Sequence, residues 1–189
     1  MISNTRGGWL TTDSWGPMRR TLRLVSLAGF LALTPPAPLP AQSTVSPAAL
    51  DSLLDRFVGR WAMRGTVRGR PASYTLDAAR TIRGKFVELH MRDVHVPPAY
   101  EARVFIGVDS AGVRYVAHWL DNFGAAYSIP PATGTARGDT LELDFPYPDG
   151  AFHDTFIYQR PSDAWTMRLE SADGAGGWKL FAEYRARRR

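Results

Sequence analysis

Leu141-Glu142-Leu143-Asp144-Phe145 puts an apolar side chain at every second position and a carboxylate between each pair. A period of two belongs to a strand with one face in a core and the other in water. The same alternation returns in Trp165-Thr166-Met167-Arg168-Leu169-Glu170. It returns again where Trp178, Leu180, Ala182 and Tyr184 alternate with Lys179, Phe181, Glu183 and Arg185.

Outward from these strands, turn chemistry punctuates the chain. It occurs at Arg83-Gly84-Lys85, Val96-Pro97-Pro98, Asp109-Ser110-Ala111-Gly112 and Asp121-Asn122-Phe123-Gly124. It continues at Gly138-Asp139, Pro146 to Gly150, Pro161-Ser162-Asp163 and Asp173 to Gly177. Strands of even spacing with no helix between them pair as an antiparallel meander, closed as a barrel or folded as a sandwich. We read an all-β fold, an up-and-down antiparallel barrel of about ten strands over residues 48–189. One helix precedes it. Ser46-Pro47 is an N-cap followed by proline, and Leu50, Leu53, Leu54 and Phe57 share one helical face, with the stop at Gly59.

Upstream, Met18-Arg19-Arg20-Thr21-Leu22-Arg23 is basic and Leu24 to Leu33 is apolar, and a small-residue exit runs to Ala41. This is the layout of a secretory signal over 18–41. Ten residues of helix rise about 15 Å, half of a bilayer core, so no stable span is expected after cleavage. Met18 opens the signal more cleanly than Met1, which marks 1–17 as a misassigned extension, and 42–47 reads as a linker. The expected destination is the periplasm or the medium.

Composition narrows the function classes. There is no cysteine, which excludes disulfides, thiolate metal sites, a Cys nucleophile and a lipid-bearing Cys. The chain carries +5, with 23 basic and 18 acidic residues. Setting aside residues 1–41, which hold four arginines and one aspartate, leaves 19 basic against 17 acidic residues. That balance, with no basic stripe, gives no expectation of nucleic acid binding.

Phe57-Val58-Gly59-Arg60-Trp61 resembles the Gly-x-Trp start of lipocalins and their calycin relatives. The resemblance implies that Trp61 plugs one end of the barrel and that a late basic residue, Arg185 or Arg187, packs across its ring. Residues 50–187 also resemble a bacterial family of exported lipocalin-like domains. The matching pieces are Gly59-x-Trp61, Thr81 to Val87, Ile106 to Asp109, Trp119 to Gly124 and Glu183-Tyr184-Arg185. This second resemblance implies the fold and no activity.

His90, His95, His118 and His153 lack the close pairing of a zinc site. Nitrobindins, ten-stranded relatives of this barrel, hold haem through a late histidine. Here none follows His153, so a haem reading has only His153 or His118 to use, and no cofactor is the leading expectation. There is no Gly-x-Ser-x-Gly elbow, and Ser128 reads as a strand end. Alternation turns most of Glu88, Asp93, Glu142 and Asp144 outward, against a carboxylate pair. Asp173 to Gly177 is a hairpin loop rather than a phosphate cradle, since no helix follows it.

What remains is aromatic. Val113, Tyr115, Ala117 and Trp119 share a strand face, as do Phe152, Asp154, Phe156 and Tyr158. The leading expectation is a small hydrophobic or amphipathic molecule held inside the barrel by Met91, Tyr115, Trp119, Asp154, Phe156, Tyr158 and Met167. The alternatives are a barrel filled by its own rings that serves as an interaction domain, and an enzyme or haem protein on the same scaffold. Oligomeric state stays open.

Overall fold

A computed structural model describes residues 47–109, 111 and 113–189. The segments expected as extension, signal and linker, up to residue 46, lie outside the described residues. The helix is α1, Pro47–Asp55. Ten strands follow: β1 Gly59–Val67, β2 Arg70–Thr81, β3 Phe86–Asp93, β4 Glu101–Asp109 and β5 Arg114–Asp121. Then come β6 Ala132–Arg137, β7 Thr140–Phe145, β8 Phe152–Gln159, β9 Ala164–Ala172 and β10 Trp178–Arg188. Each strand pairs antiparallel with the next, and β10 pairs back onto β1, so the sheet closes as a ten-stranded barrel. Closure removes both sheet edges. Among the described residues, no helix is long and apolar enough to cross a membrane.

The helix is shorter than its sequence pattern. It ends at Asp55, and Arg56, Phe57 and Val58 donate to the carbonyls three residues back, which tightens the last turn. Gly59 therefore opens β1 rather than capping α1. Its φ is +141°, and a Cβ there would run into the Arg188 guanidinium. Glycine is needed at that close approach.

α1 covers one end of the barrel. Leu50, Leu53, Leu54 and Phe57 are buried, each burial stabilising by roughly 1.5–3 kcal/mol. Phe57 stacks on Trp165 at 3.8 Å, and Trp165 Nε1 donates to the Arg56 carbonyl at 3.3 Å. Tyr115 donates its hydroxyl to the Leu50 carbonyl at 2.8 Å. Arg80 on β2 clamps the helix from outside through Asp51 at 2.7 Å and Asp55 at 2.6 Å.

Trp61 is wholly buried at this end and donates Nε1 to the Phe57 carbonyl at 2.7 Å. The cation across its ring is Arg188, 4.2 Å from the ring centre, in place of Arg185 or Arg187. Register decides this. Arg188 pairs with Trp61 across β1 and β10, whereas Arg185 pairs with Arg64 and Arg187 with Ala62. Paired residues share a face, so Arg185 and Arg187 are carried outward.

The second correction lies in β10. Leu180 pairs with Glu170 and Ala182 with Leu169, leaving Phe181 as the extra residue of a β-bulge. A bulge resets alternation by one position. Ala182 and Tyr184 face inward as expected, but Trp178 and Leu180 move to the outer face and are 47% and 45% exposed. Phe181 packs edge-on against Phe152 at 5.2 Å, beneath the Arg68 guanidinium at 5.0 Å.

Candidate ligand site in the open half of the barrel

Strand direction divides the interior into two halves. The starts of β1, β3, β5, β7 and β9 lie at the α1 end, and their far ends lead into the loops of the opposite, open end. Tyr115 and Tyr158 belong to the covered half. Tyr115 is committed to α1, and Tyr158 donates to Asp163 at 2.9 Å beneath the Arg56 guanidinium. These two residues hold the closed end together, away from Met91, Trp119 and Asp154. Phe156, at mid-barrel, meets Phe57 edge-on at 5.9 Å.

The structure brings Met91, Trp119, Phe156 and Met167 together. With Met63, Leu76, Leu89, Val104, Leu169 and Tyr184 they line an internal cavity of about 20 Å3. That is room for about one water. The inward side chains around it form one buried cluster. Three of those around the cavity are methionines, whose unbranched thioethers repack at low cost.

Asp154 sits on β8 between Leu143 of β7 and Leu169 of β9, all three facing inward. It is 2% exposed and is the only buried charged or polar residue among the described residues. Its Oδ1 is buried without a hydrogen-bond partner. Burial, with a smaller push from the Asp144 charge, holds its carboxyl well above the usual carboxylate range. An apolar site disfavours the charged form. The neighbouring phenols of Tyr147 and Tyr184 are also pushed up, chiefly by their own burial.

Aromatic rings succeed one another in the same half of the barrel. Trp119 meets Phe145 at 6.1 Å, Phe145 meets Tyr147 at 5.5 Å, and Tyr147 meets Phe152 at 6.4 Å. On the other side Tyr184, Tyr74, Tyr100 and Phe123 follow one another at 5.5, 5.9 and 5.8 Å. Trp119 Nε1 donates to the Tyr100 hydroxyl at 3.1 Å, and that hydroxyl donates to Asp121 at 3.2 Å. Tyr74, Tyr100 and Tyr147 were not foreseen. Tyr147 continues the alternation of Leu141, Leu143 and Phe145, but prolines on both sides made it look like turn. Tyr100 lies just outside a strand, where periodicity gives no face.

The remaining candidates face solvent or loops. Val113 is a turn residue at φ +49° and 42% exposed, so it is no part of the Tyr115 face. His118 and His153 stand on outward positions of β5 and β8, and His153 bonds Asp144 at 2.7 Å. His90 bonds Glu101 and His95 bonds Asp93, both at 2.6 Å. Glu88 pairs with Arg103 on the outer wall. Among the described residues, no cluster of three His, Asp or Glu could hold a metal.

No protein-family model matches this chain, and no curated protein matches it. The chain is similar to the crystal structure of Rv2717c from M. tuberculosis, at 18% identity and a TM-score of 0.48. That match covers 73% of this chain and 96% of the other.

Proposed function

We propose that this protein is an exported barrel of the lipocalin-like, calycin type that binds a small hydrophobic or amphipathic molecule in its open half. The observation that carries the reading is the asymmetry of the two ends. Among the described residues eleven large apolar side chains are exposed. Three of them, Val58, Ile82 and Val113, lie at the α1 end, five, Val94, Val96, Phe123, Tyr127 and Ile129, lie in the loops of the open end, and Leu120, Trp178 and Leu180 stand on the outer wall. Water-facing apolar surface concentrated at one end of a barrel marks a place where something apolar is met. Behind that rim, rings and methionines line the small cavity and the Asp154 carboxyl lies between two of its neighbouring strands, a mostly apolar setting with few polar groups of the kind that small-molecule sites use.

The filled interior favours a second reading, in which the barrel is a scaffold and the rim docks another protein. Titration with the neutral fluorophore N-phenyl-1-naphthylamine separates the two. Interior binding gives a saturable rise in emission, weakened at least fivefold by Trp119→Ala and unchanged by Trp178→Ala on the outer wall. No saturable rise, or equal loss in both variants, contradicts interior binding.

A further inference from the structure

We propose that the ligand of the open half is a small amine, an apolar or aromatic body bearing one basic nitrogen, and that Asp154 receives that nitrogen. The inference rests on the interior-binding reading above.

The chemistry follows from what the barrel lacks. Asp154 Oδ1 is a buried acceptor with nothing to accept from. An unpaired buried carboxyl is costly even when neutral, and far more so when ionised. Among the described residues, no cation is buried to compensate it. The titratable groups near it are Asp144, Tyr147 and Tyr184, none of them positive. An acidic ligand would face a carboxyl with no counter-charge. A hydrocarbon would leave the carboxyl as unsatisfied as before. A ligand donor, best a cationic one, would satisfy the carboxylate, because charge-assisted hydrogen bonds are the strong ones.

The neighbouring rings suit the same head group. Trp119, Phe145, Tyr147 and Phe152 succeed one another around the open half. Ring faces attract ammonium, most strongly when it is desolvated. Room for the body comes from Met63, Met91 and Met167 around the small cavity. A leucine-only core could not yield as readily.

The test compares three probes of nearly equal size by isothermal titration calorimetry on the folded protein: 2-phenylethylamine, 2-phenylethanol and phenylacetate. The expected order is amine at least tenfold tighter than alcohol, with phenylacetate weakest. Asp154→Asn, checked for fold by circular dichroism, should bring the amine to within about threefold of the alcohol. The ranking in the unaltered protein stands by itself if that variant misfolds. If the alcohol or phenylacetate binds as tightly as the amine, the amine assignment is overturned while interior binding survives. If none of the three binds, the amine assignment is overturned, and the N-phenyl-1-naphthylamine titration decides interior binding by itself.

Discussion

Asp154 sets the sharpest expectation at the scale of single residues. Its folded-state pKa is raised, so the folded protein holds the proton that the unfolded chain gives up near pH 4. The stability attached to that proton is intact below about pH 4 and is lost as pH rises towards the folded pKa. Paired surface carboxylates such as Asp139 and Asp163 act in the opposite sense, being held low by Arg160 and Arg188. Subtracting a variant cancels them. The melting temperature of Asp154→Asn minus that of the unaltered protein should be small near pH 4 and grow towards pH 8, to about 3–10 °C. A difference that stays flat with pH would show that this carboxyl is not buried unpaired. Arg188 gives a second case. It stacks on Trp61 and donates Nη1 to the Val58 carbonyl at 2.9 Å. Thermal melts of Arg188→Ala should show a loss of roughly 1–2 kcal/mol, and Arg185→Ala, on the outer face, almost none.

At the scale of elements, the sequence shows its strands better than their faces. The alternation of Leu141 to Phe145 and of Trp165 to Glu170 survives in β7 and β9 because both strands are regular. The turn signals fall between strands, with Asp109 and Asp121 closing β4 and β5. The tight turn at Arg68-Gly69 was not among them; its residues take φ of +48° and +76°, and a lone Arg-Gly is a faint sign of that conformation. The Trp178 pattern failed because one extra residue, Phe181, shifts everything before it to the other face. A bulge of this kind leaves no mark in a period-two count. The choice of Arg188 over Arg185 was hidden for the same reason: it depends on register, which pairing fixes. α1 was legible from Leu50, Leu53 and Leu54, and its worth can be measured. Leu54→Ala, wholly buried beneath the helix, should cost about 2–5 kcal/mol in urea unfolding. A cost below about 1 kcal/mol would mean that the helix is not part of the cooperative core.

Across the whole molecule, the covered end and the open end divide the work. Trp61, Arg188, α1 and the Phe57–Trp165 stack close one end and spend their polar groups on each other. Tyr115 and Tyr158, which looked like handles for a ligand, are consumed there. Alternation could place them inside the barrel but not at one end of it. Met91, Trp119, Asp154 and Met167 share the other half, where the rings are numerous and the carboxyl is unanswered. The account therefore stands on that half being occupied. Native mass spectrometry of the protein purified from its own host measures this directly. We predict one stoichiometric small molecule, released on activation and absent from Trp119→Ala. A bare polypeptide mass in every preparation would contradict the account.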